Sequence, residues 1–347
     1  MSQISADLAA ARRVPQGAPW LWRLKRYQAI SVVVVYGLLL AVCLAWSFAA
    51  PSAFAFATTG NLAVLSQQIP VTAIAAIGVG ILMVTGEFDI SIAGTFTLVA
   101  FIVAIPFSEA GWPLWLSMLA GFGTAVAIGV LNGLITAWLG IPSFIATIGM
   151  MFFLRGVIRF VSINPQTNLN DSRPFFPGET FEAVLTGHLF GPVYAQLVWL
   201  VVVAVIGYLI LNRHQIGNHM FTTGGNRDAA IAVGVNVRRV KLIAFVICAV
   251  TAGFAGLLQA TRINQIEPSF ATVSGFELEA IAGVVVGGVS LYGGRGAILG
   301  MVLGAALIET VDNVLVLIGA PETIFKGLLG AIVIVAVILN NIVRRRG

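Results

Sequence analysis

RHQIGNHMFTTGGNRDAAIAVGVNVRRVK, residues 213–241, is a polar, basic island in a chain that is otherwise almost entirely apolar. Apolar runs long enough to span a bilayer flank it, at 194–211 before and 242–260 after. The island must therefore lie outside the hydrocarbon, between two membrane helices. One short helix can be read inside it from its ends. Asn226 is a good N-cap, Arg227 follows it, and Asp228 falls in the first turn, where negative charge suits the helix dipole. Ala229, Ala230, Ile231, Ala232 and Val233 form the body, and Gly234 supplies a left-handed stop. A helix of about two turns is not stable alone. It needs a partner surface, and its small alanines allow one to approach closely. Two readings stand: an ordinary positive cytoplasmic loop, or a docking element that carries force from a soluble motor protein into the membrane.

The rest of the composition agrees with a membrane setting. The chain has 347 residues, 59% of them hydrophobic and 10% charged, with a mean hydropathy of +0.98. Soluble proteins carry about 25% charged residues. No polar stretch is long enough to build a separate soluble domain. Cys43 and Cys248 both lie in apolar runs, which argues against a disulfide framework. The net charge of +5 needs no nucleic acid to explain it, because its distribution follows the positive-inside rule.

Cutting the apolar runs at turn residues predicts an all-α polytopic membrane protein of about ten spans, some of them broken. The runs are 29–49, 61–85, 91–107, 113–138, 143–162, 194–212, 242–261, 277–291, 297–318 and 323–343. Pro70 is expected to kink or break the second, and the eighth is short and rich in Gly and Val. Alternating them from a cytoplasmic N-terminus places Arg12, Arg13, Arg23, Lys25 and Arg26 inside, with the island, Arg295, Arg344, Arg345 and Arg346. Both termini are then cytoplasmic. The chain divides into a tail at 1–28, a transmembrane domain at 29–343 that contains the 213–241 loop, and a tail at 344–347. The first apolar run is longer than a signal-peptide core and is read as an uncleaved span. The segment from about 162 to 192 is external, with a short helix expected around 181–185.

Three constellations carry polar chemistry. GEFDISIAG, residues 86–94, sets Glu87 and Asp89 at a junction of two spans, flanking Phe88. Either these groups sit near a solute path, or Asp89 and Ser91 simply cap the following helix. ELEAIAGVVVGGVSLYGGRGAILG, residues 277–300, crowds Gly287, Gly288, Gly293, Gly294 and Gly296 into a short span and its turn. Such glycines permit close packing and broken helices. Glu277 and Glu279 either contact solute at its outer mouth or, the favoured reading, mark the membrane interface. NGLITAWLGIPSFIATIGMMFFLRG, residues 132–156, buries Asn132 late in the fourth span and reverses at Pro142. Glu309 and Asp312 are membrane carboxylates three apart, hence on one helix face toward the pathway or a second copy of the chain. The pathway candidates are therefore Glu87, Phe88, Asp89, Asn132, Glu309 and Asp312.

No catalytic residues emerge. His188, His214 and His219 make no metal pattern, and GGRG lacks the Lys-Ser/Thr ending of a nucleotide-binding loop. An enzyme is excluded for want of a nucleophile or metal set, and no cofactor is expected in this chain. A secondary, ion-coupled transporter of a small polar solute would need deep coupling carboxylates, for which Glu309 and Asp312 are the candidates.

Taken together, the stretches resemble the permease subunits of bacterial ATP-binding-cassette importers for monosaccharides, the ribose/xylose-type branch. GEFDISIAG stands at that family's Gly-Gly-Ile-Asp-Leu-Ser-Val-Gly signature, with Glu87 and Phe88 in place of Gly and Ile. Asn132, Gly133, Pro142, Phe144, Ile145, Thr147, Gly149 and Arg155 match a second segment. FELEAIAGVVVGGVSLYGGRGAILG matches a third almost throughout, with Glu279 where Asp is commoner, and GGNRDAAIAVGV fits the loop that meets the ATPase. The resemblance covers about residues 30–343.

It implies a multi-pass protein of the bacterial inner membrane that forms the pathway for ribose, xylose or a related sugar, a polyol or a nucleoside. It also implies two permease chains, as homodimer or with a paralogue, in membrane lipid. A periplasmic sugar-binding protein would deliver solute, and separate ATPase subunits would hold ATP and Mg. Asn226, Arg227, Asp228, Ala229, Ala230 and Gly234 would then couple to the ATPase. No nucleic acid is involved.

Overall fold

The computed structural model describes residues 28–162, 167–168, 179–266, 268 and 275–345. The 1–28 tail thus lies outside the described residues except for Gln28, as do residues 163–166 and 169–178 of the segment expected to be external. The chain is helical, with thirteen α-helices among the described residues. They are α1 (Gln28–Ala49), α2 (Thr59–Val84), α3 (Ile92–Ser108), α4 (Leu114–Ala137), α5 (Ser143–Val161), α6 (Glu179–Thr186), α7 (Ala195–Tyr208), α8 (Gln215–Gly225), α9 (Arg227–Ala232), α10 (Val237–Ile263), α11 (Phe276–Val286), α12 (Ile298–Leu317) and α13 (Glu322–Arg345). α7 continues into a wider turn of π-helix at Leu209–Arg213. Two short antiparallel pairs dress one end, Thr167–Asn168 with Gln265–Ile266 and His188–Phe190 with Val193–Tyr194.

Each predicted apolar run coincides with a helix, but they are not alike. Seven helices are long and apolar enough to cross a membrane, while Ile92–Ser108 and Thr323–Val335 are shorter apolar segments. Of the kink or break expected at Pro70, the break is absent, since α2 runs through it. Pro70 removes one N–H, yet it is buried, and neighbours packed around it hold the helix through the lost bond. The predicted eighth span, 277–291, is instead a helix of 11 residues ending at Val286. At 1.5 Å per residue it reaches about 16 Å, roughly half a hydrocarbon core. Gly288 at φ 87° turns the chain out of the helix. The short external helix expected near 181–185 is α6.

The bundle is built around α2, α3 and α10. Ala73, Ile74 and Leu82 of α2 and Val99, Phe101 and Val103 of α3 are fully buried, and residues 70–84 of α2 and 92–101 of α3 meet protein on every face. α10 packs on both, and on α4. Small residues set that spacing: a Cβ on Gly129 of α4 would lie 2.7 Å from Val246 Cα. In a lipid solvent, close backbone approach is a main source of helix association. The outer layer carries exposed apolar side chains such as Trp115, Leu119, Val201 and Val205, as a lipid-facing surface should. α1, α12 and α13 share a smaller cluster at Val32, Leu307, Ile308, Phe325 and Leu329.

Candidate functional site

Stretches far apart in the chain meet at the end of the bundle that carries the 213–241 island. The ends of α2 and α8 and the glycine turn after α11 touch through backbone. A Cβ on Gly224 would lie 2.0 Å from the Val84 carbonyl oxygen and 2.6 Å from Gly294 N. One on Gly293 would lie 2.8 Å from Gly86 N. Gly294 donates its N–H to that Val84 carbonyl at 2.8 Å, closing the end of α2. Gly86, Gly293 and Gly294 all have φ between 74° and 85°, where a side chain is strained. Gly287 seats α11 on α12, since a Cβ there would lie 2.2 Å from the Gly300 carbonyl oxygen. Gly296 abuts Val84 and Val289.

The loop from Gly86 to Ser91 runs into the protein from this clamp. Asp89 and Ser91 are fully buried. Asp89 Oδ1 accepts from Ser91 N at 2.8 Å and Ser91 Oγ at 2.6 Å, while Asn132 Nδ2 donates to Asp89 Oδ2 at 3.2 Å and to Ser91 Oγ at 2.9 Å. Ser91 does stand at the N-cap position of α3, but its hydroxyl makes no capping bond. The carboxylate is the stronger acceptor and takes that hydroxyl instead. Two further ties come from α5: Phe88 N donates to Ser143 Oγ and Ile90 N to Thr147 Oγ1, each at 3.1 Å. The Pro-Ser-Phe-Ile-Ala-Thr start of α5 is thus the clasp of the GEFDIS loop. Glu87 pairs with Lys241 on the first turns of α10. Phe88 packs against the main core.

The island itself folds as three helices. Asn226 Oδ1 accepts from Ala229 N at 3.0 Å, capping α9. The stop is a Schellman arrangement: Val235 N bonds Ala230 O and Gly234 N bonds Ile231 O, with Gly234 at φ 85°. Arg227, Asp228, Ala229 and Ile231 are exposed, and Val233 is 75% exposed. Ala230 is 1% exposed, so its side chain faces this chain. It is not a contact for a partner's groove, contrary to what its small size suggested.

A second polar group lies at the other end of α11 and α12. Thr72 of α2 donates to Glu309 Oε1 at 2.5 Å. Glu309, Asp312 and Glu277 are within electrostatic reach of Glu279, as is Lys326 of α13. Arg262 of α10 faces Glu309 and donates to Gln259 at 3.1 Å. Arg155 of α5 lies over the Phe152 ring and within reach of Glu277. Among the described residues no group of three His, Cys, Asp or Glu side chains could hold a metal ion.

The structure therefore separates the six pathway candidates. Glu87, Phe88, Asp89 and Asn132 come together near the island, while Glu309 and Asp312 sit in the second group. Sequence reasoning singled out neither Lys241, Ser143, Gly224, Thr72 nor Arg262. Lys241 carried a signal, since it stands where the basic island gives way to the apolar run of α10.

Over residues 61–337 the chain matches the family described as branched-chain amino acid transport system / permease component, and it belongs to that family. It is 31% identical to the ribose import permease protein RbsC of Escherichia coli (strain K12) over 293 residues, 82% of this chain and 87% of the relative. It is 25% identical to the xylose transport system permease protein XylH of the same strain over 370 residues, covering 91% of this chain and 93% of the relative. It is 29% identical to the autoinducer 2 import system permease protein LsrC of Enterobacter sp. (strain 638), covering 91% and 86%. No solved structure matches.

Proposed function

We propose that this chain is the membrane permease of a bacterial ATP-binding-cassette importer that carries a monosaccharide across the inner membrane. Ribose, xylose and allose, named in the relatives, are the first substrates to test. Ten spans cross the bilayer, with α11 completing its crossing as the glycine turn, and both termini lie in the cytoplasm. Two permease chains form the pathway. Separate ATPase subunits hold ATP and Mg on the 213–241 side, and a periplasmic binding protein delivers sugar at the opposite face.

The observation that carries this reading is the island's geometry. A capped helix, α9, presents Ile231 and Val233 outward while the segment just before it, at Gly224, is clamped to loops reaching into the bundle. An exposed apolar pair on a rigid base suits a docking surface. Push on it, and the clamp and α10 move with it. Asn226, Arg227, Asp228 and Gly234 shape that surface, and Ala230 anchors it from beneath. The Asp89–Ser91–Asn132 group lies on the inner half of the pathway, and Glu309 and Asp312 on the outer half.

The test is reconstitution of the chain in proteoliposomes with its ATPase and binding protein. Labelled sugar should accumulate only with ATP and binding protein present. Ile231→Asp should lower co-purification of the ATPase while leaving the permease folded. ATP-independent uptake driven by an ion gradient would refute the assignment.

A further inference from the structure

We propose that the Glu87–Lys241 ion pair is the tie through which movement of the 213–241 side reaches the buried loop carrying Asp89, an inference that rests on the permease reading above. Lys241 lies on α10, which begins at Val237 inside the island and continues without interruption to Ile263. α10 is therefore a lever with one end in the docking surface. Glu87 lies one residue past the glycine clamp and two before the fully buried Asp89. The other bonds of the loop go elsewhere: Phe88 and Ile90 to α5, Asp89 to Asn132 on α4, and Gly86 against Gly293. The salt bridge is the charged link between loop and lever among the described residues.

Burial makes this link directional. The two side chains are 17% and 11% exposed, for Lys241 and Glu87. A pair in open water exchanges partners with solvent at little cost and transmits little. A buried pair resists separation, because each charge loses its partner where water cannot replace it. When α10 shifts, the loop must follow or both charges are stranded. The same pull acts on the Asp89–Ser91–Asn132 group, since Asp89 is held in the same short loop. The two residues of the pair are positioning residues: neither is required to touch solute.

The experiment uses the assembled complex of permease, ATPase and binding protein in proteoliposomes, with Glu87→Gln, Lys241→Gln and the exchange E87K/K241E. The single variants should co-purify with the ATPase and keep basal hydrolysis. They should lose sugar-stimulated hydrolysis and uptake by about tenfold, less than a fully buried stranded charge would cost, because the pair is part-buried and Gln keeps a polar group at the contact. The exchange should bring both back to within about threefold of wild type, because it restores opposite charges at one contact. Single variants with full stimulated activity, or assembled singles whose loss the exchange does not repair, overturn the tie. If a single variant fails to assemble, E87Q/K241Q removes both charges. Assembly without stimulation supports the tie, and full stimulation overturns it. A wild-type complex that shows no stimulation by loaded binding protein removes the permease reading and the tie with it, whereas an active wild type with indifferent variants removes the tie alone.

Discussion

The two ends of this bundle are held by different means. Near the island, backbone packs on backbone: Gly224, Gly293 and Gly294 bring three segments closer than any side chain allows. Toward the other end of α11 and α12, charged side chains gather, with Glu309, Asp312 and Lys326 within electrostatic reach of Glu279, and Arg262 within reach of Glu309. Backbone contacts have no rotamers and little give, so they pass displacement on. Side chains keep rotamers that backbone lacks, so an array of several charged groups suits a region that must release what it holds. The glycine clamp is read as transmission, and the charged end as the place where solute is met.

The sharpest way to break this comparison is to add one carbon to the clamp. A Cβ at Gly224 would fall 2.0 Å from a carbonyl oxygen, and that neighbour is backbone and cannot rotate away. Gly224→Ala is expected to cost about 3 kcal/mol, the upper end of overpacking, seen as a large fall in thermal midpoint of the purified chain. Gly149→Ala, on α5 with nothing within 4 Å, should hold the midpoint or raise it slightly, since Ala favours a helix interior by up to about 1 kcal/mol. Equal effects from both would mean that the clamp is not rigid.

The next effect belongs to the loop hanging from the clamp. Asp89→Ala would leave Ser91 N and the Ser91 hydroxyl proton without their acceptor, and Asn132 Nδ2 with Ser91 Oγ alone, in a site closed to solvent. The cost should be about 2–3 kcal/mol, with uptake lost. Asp89→Asn keeps the volume and part of the bonding, and should recover most of the stability in the same unfolding assay. If both variants are as stable as wild type, the triad is not what holds the loop.

Much of this could be read from the chain, and the reasons are physical. Membrane helices announce themselves by length and apolarity, and α9 announced its own ends through Asn226, Asp228 and Gly234. What the chain could not show was which distant pieces meet. GEFDISIAG and the Pro-Ser-Phe-Ile-Ala-Thr start of α5 look like separate motifs, yet Ser143 and Thr147 bind Phe88 and Ile90. The glycines of 287–296 could be marked as close-packing residues, but not their partners, Gly86 and Gly224. At Pro70 the break that local propensity allows does not occur, because α2 is buried on all sides from there to Val84. Ala230 misled because a small residue on a short helix is equally consistent with an inward and an outward face.

At the charged end the prediction runs the other way: function should change and stability should not. Glu309→Gln preserves the bond with Thr72 but removes the charge facing Arg262. If Glu309 meets solute, losing about 1 kcal/mol of contact should lower uptake about fivefold, with the thermal midpoint held. Thr72→Val removes the donor that fixes Glu309 and should show a smaller loss. A fall in midpoint as large as that of Asp89→Ala would make this a structural cluster and erase the distinction between the two ends.

The smallest effect is expected at a glycine of a different kind. Gly234 has φ 85°, but a Cβ added there would meet nothing within 4 Å. It is needed for its dihedral angle, whereas Gly224 is needed for its lack of volume. Gly234→Ala should therefore cost only about 1 kcal/mol, the penalty for holding an L-residue in the left-handed region. Gly234→Asn should cost less, because Asn tolerates that region better. The loss should be local, with faster amide exchange across Arg227–Ala232 and no change in the global midpoint, because α9 is exposed and stops before α10 begins. ATPase co-purification should weaken slightly for Ala and less for Asn. If Gly234→Ala lowered the global midpoint as far as Gly224→Ala, α9 would belong to the clamp itself, and docking could not move it without unfolding the inner end of the bundle.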